Sequence, residues 1–205
     1  MFQSFIQITM KRTYAVLALI AVTLSCLQTL YAQSEIEVGV RFGLAGNALH
    51  RFQSVDGGGS SEGRLSMLTG VRLGYGLTER LTLVSGLDYA RHNLTMVSAP
   101  MPEQHRTDGR ITTLSLPLVV EWNVGRWFFI QGGPSIDIQP EKWESVDSQG
   151  GIGFSVGVGG RYALGNWSLS LTPTVKQYAL IPFNKEKYHQ RLMTAGAVLT
   201  VGYRF

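Results

Sequence analysis

The sequence predicts an all-β fold, an eight-stranded antiparallel up-and-down transmembrane β-barrel, and three observations predict it. Apolar residues recur at every second position throughout the chain beyond residue 33, and no segment there sustains a helical period. The connections between these runs alternate between tight and long, as they do when an even number of antiparallel strands puts both chain ends at the short-turn side. The polar face of the runs is rich in Gly, Ser, Thr and Ala, the residues that fit the lumen of a barrel just wide enough to be filled by side chains.

The first run, EIEVGVRFGLA, sets Ile36, Val38, Val40, Phe42 and Leu44 against Glu35, Glu37, Gly39, Arg41 and Gly43, the period of a strand whose faces meet different media. The second sets Leu65, Met67, Val71, Leu73, Tyr75 and Leu77 against Ser66, Gly70, Arg72, Gly74 and Gly76. In the third, Leu81, Leu83, Leu87 and Tyr89 oppose Thr82, Gly86, Asp88 and Ala90. The fourth, TLSLPLVVEWNV, places Leu114, Leu116, Leu118, Val120 and Trp122 opposite Thr113, Ser115, Pro117, Glu121 and Asn123. The fifth, WFFIQGGPSIDI, has no readable phase at its start, because Trp127, Phe128, Phe129 and Ile130 are all apolar. The sixth sets Ile152, Phe154, Val156, Val158 and Tyr162 against Gly153, Ser155, Gly157, Gly159 and Arg161. The seventh sets Trp167, Leu169, Leu171 and Val175 against Ser168, Ser170, Thr172, Thr174 and Lys176. The eighth, MTAGAVLTVGYRF, ends with Leu199, Val201, Tyr203 and Phe205 on one face and is expected to close the barrel against the first.

Tight connections fall around Thr78, Gly125-Arg126 and Gly165-Asn166. Long polar ones are expected over 46–64, which contains DGGGSSEG, and over 92–110, 139–151 and 179–190. Pro117, Pro134 and Pro173 lie inside strands, where a closed barrel offers no harmless edge. They are expected to mark bulges, with the GGP at 132–134 helping its strand to bend.

The chain opens with a leader. Lys11 and Arg12 precede the apolar run YAVLALIAVTLSCL, and Leu30-Tyr31-Ala32 offers small-residue cleavage before Gln33, the order of regions in a secretory signal peptide. Residues 1–32 are therefore assigned to the leader and 33–205 to one barrel domain; residues 1–9 carry no charge, so Met10 is an alternative start. A retained membrane anchor is disfavoured by the small-residue end and the missing basic stop-transfer flank. A lipid anchor on Cys26 is disfavoured by Thr23, where an apolar residue is wanted. With Cys26 in the leader, the remaining chain has no thiol for a disulfide or a thiolate metal site. Without Lys11 and Arg12 the chain keeps 16 basic against 14 acidic residues, a dispersed excess that excludes a nucleic-acid footprint.

Periodicity alone leaves two assignments of the faces: a membrane barrel with its apolar face outward, or a soluble lipocalin-like ligand-binding barrel with that face inward. Charges and aromatics favour the membrane. The polar face carries Glu35, Glu37, Asp88, Glu121 and Asp137 against Arg41, Arg72, Arg161, Lys176 and Arg204, the balance that pairing inside a narrow lumen requires. Of these, Glu37, Arg41, Arg72, Asp88, Glu121, Asp137, Arg161, Lys176 and Arg204 are expected to form a lumen charge network. Turning its arginines to lipid would cost up to about 2 to 4 kcal/mol each near the midplane. Tyr75, Trp122, Tyr162, Trp167, Tyr203 and Phe205 all lie on the apolar face beside short turns or the C-terminus, where they are expected to form a periplasmic aromatic girdle.

No catalytic, metal-binding or cofactor site is read from the chain. His50, His92, His105 and His189 fall in or beside the expected loops at spacings that do not match metal ligation, and each is read as a solvated loop residue. A small lipid-modifying enzyme would need Ser, His and a carboxylate together; only His92 with Asp88 is near in sequence, and no partner serine is evident. The loops carry Lys185, Lys187 and Arg191, candidates for contact with lipopolysaccharide phosphates, and an acidic set of Glu141, Glu144 and Asp147.

The pieces VGVRFGLAG, SGLDYAR, TLSLPLVVEWNVG, FIQGGPSIDI, GFSVGVGGRYALG and VGYRF resemble the PorT-like small outer-membrane β-barrels of Bacteroidota. The resemblance covers most of the chain beyond the leader and rests on patterns of Gly, Leu and aromatics. It implies a Gram-negative outer-membrane location, outer-membrane lipid as surroundings, and a structural, binding or secretion-accessory role with secretion-system partners. The ending is also similar to the assembly signal that such barrels present to their insertion machinery, with Gly202, Tyr203 and Phe205 as the recognised positions.

Overall fold

The computed structural model describes residues 35–51, 60–97, 106–141, 147–184 and 190–205; the expected leader and the intervening loop segments lie outside the described residues. Eight strands follow in order: β1 (Ile36–Arg51), β2 (Ser60–Gly76), β3 (Leu81–Val97), β4 (Arg106–Val124), β5 (Phe128–Ile138), β6 (Gly151–Leu164), β7 (Trp167–Pro182) and β8 (Gln190–Arg204). Each pairs antiparallel with the next, and β8 returns to β1 with Val38 opposite Tyr203 and Arg51 opposite Gln190, closing the ring.

The apolar face is outside. Phe42, Leu118, Val158 and Leu171 are each about half exposed, and so are the matching residues of every strand. Glu37, Arg72, Asp88, Glu121 and Asp137 are buried. An apolar wall of this extent far exceeds the patches that water-soluble monomers tolerate, so the lipocalin-like alternative is overturned: its apolar residues would have to point inward. The ring also fixes the phase of β5. Phe128 and Ile130 face out, while Phe129 is 1 % exposed inside the lumen, opposite Gly159 on β6. A Cβ at Gly159 would meet the Phe129 ring. Gly159→Ala is therefore expected to lower stability by about 1 to 3 kcal/mol through overpacking. Denaturant unfolding of the barrel in detergent measures this, and adding Phe129→Leu should recover much of the loss.

At the end bearing the long loops the pattern inverts. Leu94 and Ile111 continue the inward series of β3 and β4 and are fully buried with Leu192 and Tyr178, whereas Arg91 and Arg110 point out and are exposed. A strand that leaves hydrocarbon and enters water must exchange the polarity of its faces. This exchange corrects the loop extents expected from sequence. The strands run on through Arg51, Val97 and Pro182 and begin again at Ser60, Arg106 and Gln190, so much of 46–64, 92–110 and 179–190 is ladder.

The opposite end has short connections. Leu81 closes the β2–β3 turn by donating its N–H to Thr78 Oγ1 at 3.0 Å. Gly125 and Gly165 adopt left-handed conformations, with φ of 77° and 61°, which glycine reaches without a Cβ penalty.

The three strand prolines differ from expectation. The ladder skips two residue pairs around Pro117 between β3 and β4, two around Pro134 between β4 and β5, and two around Pro173 between β6 and β7. Pairing resumes in the same register each time, so none of the three marks a bulge. A strand residue aims its N–H at one neighbour only, and a proline loses pairing on that side while keeping it on the other. Pro134 still pairs with Phe154, and Pro173 with Ala197. Beside Pro117, the Ser85 hydroxyl donates to the Pro117 carbonyl at 3.0 Å. True register shifts occur at Gly63/Ser66 on β2 and opposite Ile152/Phe154, where Ala179 of β7 takes a left-handed φ of 45°.

Candidate functional site

The barrel interior is built in three layers. Nearest the short turns lies a chain of ion pairs. Glu121 on β4, fully buried, accepts from Arg72 of β2 at 3.0 Å and from Arg161 of β6 at 2.6 Å. Arg72 also lies 3.3 Å from Glu37 of β1, and Arg204 bridges Glu37 at 3.8 Å and the more exposed Glu35 at 3.1 Å. The Arg161 guanidinium stacks 4.8 Å over the Phe129 ring, a cation–π contact that also fills the centre of the layer. Five strands contribute to these ion pairs, because inward positions at one level come from alternate residues all around the ring.

The middle layer holds Arg41 of β1, paired with Asp88 of β3 at 2.7 Å, and Lys176 of β7, paired with Asp137 of β5 at 2.7 Å. Lys176 donates further to Ser115 at 2.8 Å, and Ser135 donates to Asp137 at 3.1 Å. Beside these pairs is a cavity of about 60 Å³, lined by Arg41, Asp88, Gln131, Lys176, Val119 and Val198 among others. At roughly 10 to 15 Å³ per water it has room for a handful of them, far short of an open pore. The nine residues expected to form the lumen network all stand in ion pairs, in two groups at different depths, and Glu35, just before β1 and mostly exposed, adds a pair at the outer end of the lower group.

The third layer is apolar and was not anticipated. Leu94, Ile111, Tyr178 and Leu192 form a buried cluster with Leu49 packed against it, and Lys176 lies 4.3 Å over the Tyr178 ring. Residues 147–150 of the β5–β6 connection, which have no regular secondary structure, pack over it. Gln149, fully buried, accepts from the Leu192 N–H at 2.7 Å and donates to the Gln190 carbonyl at 3.1 Å. Continuing the strand alternation into the expected loops would have found Leu94 and Ile111; nothing in the local sequence marks Gln149.

His92 corrects the sequence reading directly. It is no solvated loop residue: it is 1 % exposed inside β3, edge-on to Tyr178 at 5.1 Å. Its Nδ1 lies 2.9 Å from Ser66 Oγ and its Nε2 3.1 Å from Thr113 Oγ1. Ser66 is thus the serine that sequence could not identify, brought near by the β2–β3 pairing. Its hydroxyl also accepts from Asn47 Nδ2 at 2.7 Å, and a threonine occupies the place where a catalytic carboxylate would orient the ring. The side chains of His50, His105 and His189 lie outside the described residues.

On the outer wall at the short-turn end, Trp122, Tyr162, Trp167 and Phe205 are exposed and Tyr75 and Tyr203 half-buried. Trp167, Tyr203 and Phe205 form consecutive edge-to-face contacts at 5.2 and 5.0 Å. Trp127, whose direction could not be read from sequence, joins them by stacking on Tyr162 at 5.5 Å. Gly202 is buried opposite Gly39, and the Phe205 N–H donates to the Ile36 carbonyl at 2.9 Å as the last rung of the closing seam.

Residues 17–205 match the outer membrane protein beta-barrel domain. The chain belongs to that family. This outer-membrane barrel is located in the bacterial outer membrane, where its apolar wall meets lipid. No curated protein matches it. Among solved structures it is similar to the outer membrane protein OprG from Pseudomonas aeruginosa, at 12 % identity over 84 % of this chain and 95 % of that one, with a TM-score of 0.46. It is also similar to AlkL in lipid bilayers, at 13 % identity over 84 % and 90 % with a TM-score of 0.46. Ail of Yersinia pestis in a phospholipid nanodisc follows, at 12 % identity over 84 % and 100 % with a TM-score of 0.41.

Proposed function

We propose that this outer-membrane barrel is a non-enzymatic, non-conducting accessory protein that acts through its loops and outer wall, and that the process it serves is protein secretion across the outer membrane. The observation that carries the reading is the filled interior: ion pairs, the Phe129 ring and the apolar layer succeed one another along the axis, so the surfaces are what remains for function. Secretion as the process rests on the PorT-like resemblance of VGVRFGLAG, TLSLPLVVEWNVG and VGYRF. In this reading residues 1–32 are removed on export, the insertion machinery recognises Gly202, Tyr203 and Phe205, and the aromatic girdle sits at the periplasmic headgroups. Deleting the gene should deplete the secreted proteome, while purified protein stays silent in planar bilayers; an unchanged secretome would reject the secretion role.

A second reading has one specific observation behind it, the Ser66–His92 hydrogen bond. It would make the barrel a small lipid-modifying enzyme. Against it stand the burial of both side chains and the Thr113 partner of His92. Lipid A mass spectra of the same deletion strain separate the two: they should be unchanged, and a mass shift would favour the enzyme.

A further inference from the structure

Between the turns, the outward face of the described strands carries charge only at its long-loop rim, and mostly on one side of the ring. Arg91 stands on β3 and Arg106, Asp108 and Arg110 on β4, all exposed, with Arg64 at the β2 irregularity. Arg191 of β8 is the exception on the far side, and it donates to the Leu180 carbonyl at 2.9 Å. Arg91 is opposite Thr112 and Arg110 opposite Asn93, so the two arginines occupy diagonal positions on one face, with Cα atoms about 7 to 8 Å apart. Neither side chain has a hydrogen bond or ion pair with another described residue. The carboxylate beside them is engaged: Asp108 accepts from Thr95 at 2.6 Å and lies 3.5 Å from Arg64. Four guanidinium groups therefore face out around one carboxylate, and like charges so placed repel unless an anion lies between them.

The level of this cluster identifies the anion. Thr112, the partner of Arg91, is ten residues along β4 from Trp122, and Arg110 is twelve. With about 3.4 Å per residue and a strand tilt near 40°, the two arginines stand roughly 26 and 31 Å above the Trp122 level, at and just beyond the edge of an apolar band about 25 Å tall. The inversion of face polarity at Arg91, Leu94, Ile111 and Arg110 marks the same boundary independently. In the outer membrane that boundary on the long-loop side is the phosphorylated glycolipid surface of the outer leaflet. We propose that Arg91 and Arg110, assisted by Arg64 and Arg106, form a site for a lipid A phosphate group. Guanidinium forks match phosphate oxygens two at a time, and exposed Met67, opposite Arg91 across the β2–β3 ladder, and exposed Tyr89, two residues below Arg91, would flank the acyl chains. The site rests on the membrane reading of the fold and on no assumption about secretion.

The test is native mass spectrometry of the purified full barrel in detergent, titrated with bisphosphoryl lipid A, monophosphoryl lipid A and phosphatidylglycerol. The wild type should hold bisphosphoryl lipid A most tightly, a comparison that needs no variant. Removing each arginine should weaken that binding about tenfold, so R91A/R110A should nearly abolish it, R91K/R110K should fall between, and R80A at the opposite end should bind as wild type. Equal binding by R91A/R110A and wild type, or phosphatidylglycerol binding as tightly as bisphosphoryl lipid A, would overturn the site. Heat-modifiable migration on SDS gels is read in parallel: its absence in the wild type would reject the barrel itself, a result distinct from an intact barrel that does not select lipid A.

Discussion

Glu121→Ala should destabilise the barrel by about 3 to 5 kcal/mol, the cost of leaving buried cations without their counter-charge. Glu121 is the member of the lower layer that serves two arginines at once, Arg72 at 3.0 Å and Arg161 at 2.6 Å. Arg72 would keep Glu37 at 3.3 Å, but Arg161 has no other carboxylate among the described residues. The effect should appear as a lower denaturant midpoint in detergent, with the slope unchanged. A designed replacement of the buried group, Glu37→Leu, Arg72→Met, Glu121→Leu and Arg161→Met together, should recover most of the loss, because apolar side chains of similar volume avoid the desolvation penalty and Arg204 keeps Glu35 at 3.1 Å. If Glu121→Ala unfolds within about 1 kcal/mol of the wild type, the lumen at this level is wet enough to screen its charges, and the ion pairs are worth no more than surface ones.

Deletion of Phe205 should strongly reduce the amount of protein reaching the outer membrane while leaving its export intact. Stability cannot account for a large loss. Phe205 contributes one rung to the closing seam, worth about 0.5 to 1.5 kcal/mol, and the residue is 75 % exposed, with its ring edge-on to Tyr203. The deletion variant should therefore refold in detergent with nearly wild-type unfolding, so a defect confined to cells isolates recognition by the insertion machinery from folding energetics. Phe205→Trp, which keeps a terminal aromatic, should restore assembly. Outer-membrane levels of the deletion variant equal to wild type would reduce the ending to an ordinary last strand.

The fold was legible because alternation survives wherever the outside is lipid: every strand contains all, or all but one terminal residue, of the run that named it. Legibility failed where the medium changes. Beyond Arg91 and Arg110 the outside is water, Leu94 and Ile111 turn inward, and a reader following one polarity rule takes a continuing strand for a loop. It failed again at Trp127–Ile130, where four apolar residues in succession carry no phase; only the glycine across the ladder, Gly159, shows which ring goes inside. Inward charges could be named by parity, but not their partners, since Arg161 reaches Glu121 across 40 residues of chain. Ser66 and His92, 26 residues apart, met through the β2–β3 register alone.

The skipped pairs beside the prolines bear on how a barrel tolerates substitution. Hydrocarbon supplies no donor, so a carbonyl stranded by a proline must find one within the protein. The Gly86–Pro117 pair is one of those skipped, so the Pro117 carbonyl loses its rung as well, and its donor is Ser85, a hydroxyl between Leu83 and Leu87 on the lipid-facing side of β3. Ser85 and Pro117 form a unit split across two strands: the imino acid removes a backbone proton at one place, and the hydroxyl returns one from the neighbour. Sequence change at either position is then coupled to the other, and an outward serine in such a wall can be read as the mark of a proline across the ladder.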